Sequence, residues 1–280
     1  MKLIIYFLKV SAGLISFILF ILLIPGCSST KELTSDWNKS KVKIDGNPTE
    51  WSDELRYLKD DNIAVGFLND DKDLYLCLTT ADISKVMQMF RGGLTIMIEP
   101  ENGGKVFGIK FPFMDFAGMR NNFKRSEGDG DNRGLDGGYR GAFIKKVIVN
   151  QRQIQIVNED QKVINVLPVV NKNGIKAALG YYNDQFVYEL EVPLRSGSNF
   201  PFLIDAVTGE KINLKIETGE IKRPNLKRQE GEGNGTFGGE GRDEMGGRRG
   251  GGRRSGGIQR GEYQYKPIDV SIELTLAETY

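Results

Sequence analysis

Histidine is missing from all 280 residues of this chain. That absence removes imidazole general bases, Ser-His-Asp and Cys-His nucleophile systems, and histidine-ligated zinc, copper or haem. Cysteine is scarce, with Cys27 and Cys77 alone, and so is tryptophan, with Trp37 and Trp51. A dominant charge is lacking as well. The 38 Lys and Arg balance 37 Asp and Glu for a net charge of +1, so no global field favours nucleic acid or acidic partners. Beyond residue 24 there is no long apolar run.

What is present begins with a leader. Lys2 and Lys9 precede an apolar run from Val10 to Ile24, which falls short of the ~20 residues a spanning helix needs. Residues 1–26 read as a secretory signal, with an uncleaved N-terminal anchor as the alternative. Leu23, Ile24, Pro25, Gly26 and Cys27 resemble the lipobox of bacterial lipoproteins. The resemblance implies a lipid attached at Cys27, cleavage before it, and a cell-envelope location at the outer membrane. Two or more acyl chains hold a protein at a membrane stably. Cys77 would then stand alone, without an intramolecular disulfide. Residues 27–41 are polar and read as a tether.

From 42 onward the pattern is period two, and residues 42–280 read as one domain. Val42 and Ile44 alternate up to the turn dipeptide Asp45-Gly46. Trp51 follows in a polar loop, either as a packed plug or as a ligand platform. Ile63, Val65 and Phe67, then Leu74, Leu76 and Leu78, flank an acidic hairpin turn at 69–73. Its aspartates suit either a solvated turn or calcium. Cys77 falls on the face opposite those leucines, as a small packed hydrophobe. Further strands are expected at 94–98, 105–111, 142–149, 153–157, 162–170, 174–181, 186–191, 212–216 and 268–276. Alternation places Glu189 and Glu191 on one face, expected to be solvated. Tyr139, Tyr181 and Tyr182 are possible stacking groups.

Two Gly-rich stretches interrupt the pattern. Residues 113–141 read as a mobile insertion, with Phe113, Phe116 and Met119 on one side of a short helix. Asp129, Asp131 and Asp136 suggest a calcium loop only superficially, because Arg133 and Arg140 occupy ligand positions of the EF-hand pattern. Residues 228–261 are rich in Gly and Arg and read as disordered. The Arg-Arg-Gly-Gly-Gly-Arg-Arg run from Arg248 to Arg254 resembles RNA-binding segments, but interspersed acids weaken it, and no nucleic-acid partner is expected. Many short strands with close turns predict an all-β, antiparallel β-sandwich of immunoglobulin-like or jelly-roll-like type.

Three motifs in order carry a wider resemblance. They are Asp45-Gly46 before Trp51, Asp70-Asp71-x-x-Leu74-Tyr75, and Tyr188-Glu189-x-x-Val192-Pro193. Over about 42–277 the chain resembles family 9 carbohydrate-binding-module-like sandwiches, close in shape to DOMON domains. The resemblance implies a membrane-anchored, non-catalytic binding module for carbohydrate or another small ligand. The alternative is an envelope adaptor that binds another protein through its Gly-rich loops. The aromatic clamp of sugar-binding members does not carry over, because Trp37 falls in the tether and Trp51 at the structural position. No enzyme, cofactor or metal is expected. The ligand-binding residues and oligomeric state are left open.

Overall fold

In a computed structural model of the chain, the described residues are 30–39, 42–113, 137–171, 174–195, 201–219 and 266–279. Cys27, the calcium-like loop around Asp129, Phe116 and Met119, and the segment 228–261 lie outside them. The described residues, Lys266 aside, belong to one compact unit.

In chain order the strands are β1 (Lys31–Thr34), β2 (Asp36–Trp37), β3 (Arg56–Leu58), β4 (Ile63–Asn69), β5 (Asp73–Thr80), β6 (Leu94–Pro100), β7 (Phe107–Lys110), β8 (Gln153–Val157), β9 (Val163–Pro168), β10 (Lys176–Tyr182), β11 (Gln185–Pro193), β12 (Lys211–Thr218) and β13 (Asp269–Thr275). A 3-10 turn spans Pro48–Trp51. Helices α1 (Ile83–Gly92) and α2 (Gly137–Val149) complete the described elements. The expected all-β sandwich is what forms. One sheet has the order β1-β13-β12-β6-β7-β8-β9, and the other β10-β11-β5-β4-β2, with β3 also on β4.

Period-two alternation builds the core. Ile63, Val65 and Phe67 of β4 and Leu74, Leu76 and Leu78 of β5 face Ile96 and Ile98 of β6, Ile212, Leu214 and Ile216 of β12, and Val270, Ile272 and Leu274 of β13. Each such fully buried side chain contributes about 1.5–3 kcal/mol. Helix α1 starts at Asp82, whose side chain accepts from the Ser84 amide at 2.8 Å, a standard N-cap. Its Val86, Met89 and Phe90 are buried, and Phe90 meets Phe186 edge-to-face at 5.5 Å.

Four expectations need correction. The tether 27–41 is not a tether from 31 on. Lys31–Thr34 pairs in parallel with β13, and Asp36–Trp37 pairs in parallel with β4 of the other sheet. The polar run conceals these strands because β1 and β2 are edge strands, buried on one side at most. Residues 142–149 form helix, not strand. Ile144 and Val147, three apart, are its buried residues, and β8 pairs directly with β7, which leaves no slot for an intervening strand. Val42 and Ile44 form no strand. They pack on the outside of the second sheet with Trp51, Leu55, Leu68, Tyr75, Cys77 and Val187.

That outer cluster explains the fourth, the expected solvation of Glu189 and Glu191. The segment 42–58 roofs the outer face of β11, β5 and β4. Glu189 is therefore fully buried and Glu191 is nearly so, at 0% and 7% exposure. Alternation along β11 was read correctly, but the covering of its second face comes from elsewhere in the chain.

Candidate functional site

The site is built from the buried carboxylate outward. Glu189 on β11 accepts three hydrogen bonds. One oxygen takes the Asp45 and Gly46 amides at 2.9 and 2.7 Å. The other takes Trp51 Nε1 at 2.9 Å. Burial pushes the Glu189 carboxyl up to about 7, against the opposing pull of those N–H donors. The Asp-Gly turn, the tryptophan and the glutamate of the sequence motifs thus form one tie between the roof and the sheet. Trp51 has no exposed surface, which makes it the plug and not a ligand platform. Cys77, directly opposite Glu189 in register, is fully buried. Burial, and then the Glu189 charge, push its thiol up.

This tie positions the residue three places after Trp51. The Glu54 amide donates to the Trp51 carbonyl at 3.0 Å, and Glu54 lines a cleft of about 690 Å³. The opposite wall comes from the segment that crosses between sheets. Half-buried Trp37, Asp36 and Lys39 line it, as do Glu50 and Glu278.

A buried polar knot makes the floor. Ser35 Oγ donates to Asn69 Oδ1 at 2.5 Å. The Ala277 amide donates to Asn69 Oδ1 at 2.8 Å and to Ser35 Oγ at 3.0 Å. Asn69 Nδ2 donates back to the Ala277 carbonyl at 3.1 Å. The knot clasps the first strand, the β4–β5 hairpin and the C-terminal stretch together, so the cleft is held by three distant parts of the chain.

Inside the cleft two carboxyls meet. The hydrogen bond that protonated Glu54 donates to Asp36, then burial, then the charges of Asp36 and Asp53 hold the Glu54 carboxyl above the usual range, with Arg56 opposing them. Asp36 also faces Arg56 Nη2 at 3.6 Å. A tryptophan, acids and a lysine share this lining, the residue types that stack a ring and hydrogen-bond its polar edge in small-ligand sites.

The remaining sequence candidates have structural roles. Asp70 Oδ1 accepts from the Lys72 and Asp73 amides at 2.8 and 2.9 Å, and Oδ2 from the Tyr75 hydroxyl at 2.9 Å. The acidic turn therefore ties itself together. Burial, then the charges of Glu191 and Asp70, push Asp73 up to about 6. Glu191 pairs with Lys176 at 2.6 Å. Among the described residues no group of three or more Asp, Glu or Cys is arranged to hold a metal. Tyr181 packs against the core, and Tyr182 is exposed. Trp37 and Glu54 were not legible as site residues. The trace available for Trp37 was an aromatic placed inside an otherwise polar stretch.

No protein-family model matches the chain, and no curated protein matches it significantly. Similarity to solved structures is distant. A family 9 carbohydrate-binding module from Caldicellulosiruptor kristjanssonii in complex with cellotriose is 8% identical, over 89% of this chain and 95% of that one, with a TM-score of 0.35. The same organism's module in complex with glucose is 8% identical over 68% and 78%, with a TM-score of 0.31. A protein from Bacteroides uniformis, named as a carbohydrate-binding candidate, is 8% identical over 88% and 100%, with a TM-score of 0.36. Values this low bear on neither ligand nor site.

Proposed function

We propose that this chain is a non-catalytic binding module of the cell envelope. In this reading acyl chains on Cys27 hold it at the outer membrane, and the Trp37 cleft takes a carbohydrate or another small polar ligand. The observation that carries the reading is the cleft itself, whose lining brings Trp37 together with Asp36, Lys39, Glu50 and Glu54. Sugars present an apolar ring face and a polar edge, and such a lining suits both.

The test is calorimetry of the chain against a panel of oligosaccharides, with Trp37→Ala as the variant. Binding that disappears in Trp37→Ala, while circular dichroism is unchanged, supports the reading. No heat from any saccharide at roughly millimolar ligand would sink it. For the anchor, palmitate labelling in cells is expected for the wild type and lost in Cys27→Ala.

A second reading, a protein adaptor, is favoured by one surface. Val163, Ile164 and Val166 on β9, and Val170 just beyond it, are exposed. The edge does not invite strand addition, since Pro168 lacks an amide and the Val166 amide is taken by Asn165 Oδ1 at 2.8 Å. A partner would have to dock on the side chains. Cross-linking from cysteines placed at Ile164 and Val166 in intact cells should then recover a partner, and recovering none would remove this reading.

A further inference from the structure

We infer that the exposed aliphatic strip on β9, made of Val163, Ile164 and Val166, beds against the lipid bilayer beside the anchor, an inference that rests on the acylation of Cys27 proposed above. The chain between lipid and fold is short. Ser28, Ser29 and Thr30 alone separate Cys27 from Lys31, the first residue of β1. The step from Cys27 to Thr30 spans at most about 10 Å, and β1 is fixed to β13 by its register. An acylated Cys27 would therefore hold the domain at the headgroup layer, with too little chain to swing away.

That short link meets the outer side of the first sheet. Thr30 lines a cleft of about 400 Å³ together with Met97, Lys215, Ser271 and Glu159. Lys215 stands opposite both Met97 and Ser271 in register. Their neighbours Ile98, Leu214 and Ile272 face the core, so the cleft opens on the face away from it. Glu159 comes from the turn between β8 and β9. In the same turn Gln161 Nε2 donates to Glu217 Oε1 on β12. The turn that leads into β9 is thus drawn over the outer side of the sheet, to the cleft that Thr30 lines.

On this side β9 shows aliphatic side chains. Leu167 faces the core opposite Ile154, so Val166 beside it and Ile164 two places earlier point outward. Val163, Ile164 and Val166 are 49, 46 and 45% exposed. Val163 follows Glu159 by four residues, a reach of at most about 14 Å. Clustered exposed apolar side chains mark a surface with an apolar partner, and where the anchor enters, the apolar phase at hand is the bilayer. Lys162 is paired with Asp160 at 3.0 Å, and Glu159 adds a further negative charge. This corner therefore holds no excess of cations to draw anionic lipid. The contact is apolar, with the side chains lodged at the boundary of headgroups and acyl chains.

The experiment places the full lipidated chain in phosphatidylcholine vesicles and reads contact with the headgroups as quenching by a spin-labelled lipid. A fluorophore is attached at Lys162→Cys, beside the strip, or at Tyr57→Cys, exposed on the outer side of the other sheet. Cys77 is fully buried with its thiol pushed up, so it stays unlabelled. The Lys162 site is expected to be quenched roughly twofold or more beyond the Tyr57 site. Ile164→Ser combined with Val166→Ser should bring it down to the Tyr57 level, while the chain still floats with the vesicles. Should the double variant not fold, Val163→Ser alone should lower the quenching in the same direction. Equal quenching at the two sites, in chains that float, would overturn the inference and leave the anchor standing. Equal quenching together with a protein cross-linked from Ile164→Cys in cells would overturn it in favour of a protein partner. A chain that does not float, and whose Cys27 thiol takes the label, would bring down the anchor reading as well.

Discussion

At the residue scale, Glu189 does the most. It is the acceptor for two backbone amides and an indole at a fully buried position. Replacing it by Gln brings an NH₂ group into a nest of donors. Glu189→Gln is expected to cost about 2–4 kcal/mol, read from urea denaturation. The pH dependence follows from the same group and from Asp73. Both carboxyls are raised, from 4.5 to about 7 and from 3.8 to about 6. The folded state therefore holds these protons more tightly than the unfolded chain does. Their stabilising contribution is complete below the ordinary values and is lost as pH rises through about 6 and about 7. Urea midpoints should fall across that window, and Asp73→Asn or Glu189→Gln should flatten the fall. Tyr188 is the converse case. Its ring is fully buried near Phe111, and its hydroxyl has no hydrogen-bond partner among the described residues. Tyr188→Phe is expected to raise stability by about 1 kcal/mol, and a measured loss of that size would reveal an unseen partner.

At the element scale, the roof meets the sheet through backbone. Gly46 has φ +83°, which glycine adopts without strain, and it lies directly against β10. A Cβ added to Gly180 would stand 1.8 Å from the Gly46 carbonyl oxygen. No side chain can swing aside there, so the turn itself must lift and drag its two hydrogen bonds off Glu189. Gly180→Ala is expected to cost about 2 kcal/mol or more, visible as a lowered melting temperature, while a substitution at exposed Gly103, with nothing within 4 Å of an added Cβ, meets only the backbone strain of its φ of +81°. This scale also shows what could be read in advance. β4, β5, β8, β12 and β13 were legible because each shows one apolar face with strict alternation. Helix α2 was not, since residues 142–149 hold an apolar run that suits either state, and pairing of β8 with β7 decided against strand.

For the whole molecule, the crossing segment 31–37 is decisive. It adds an edge to each sheet, in parallel with β13 and then with β4, and Ser35 between them closes the knot with Asn69 and Ala277. Removing residues 1–29 should leave a folded domain by circular dichroism and gel filtration. Removing 1–37 strips two strands, exposes the edge of β13 and opens the cleft. That truncation is expected to aggregate or to lose several kcal/mol. A stable monomer from it would mean that the segment is a tether after all.

The amino-acid sequence alone determined the class of fold. Residues that alternate every two positions must show one face to a core, and turn residues must reverse the chain, wherever neighbours lie. It also determined the roster of what chemistry is available, since a side chain that is absent cannot act. Which second faces are roofed, which acids are buried, and that Trp37 and Glu54 meet across one cleft were settled only by tertiary structure. Those facts join positions far apart along the chain, such as 45 with 189 and 35 with 277, and no local pattern of propensity or spacing records such a meeting.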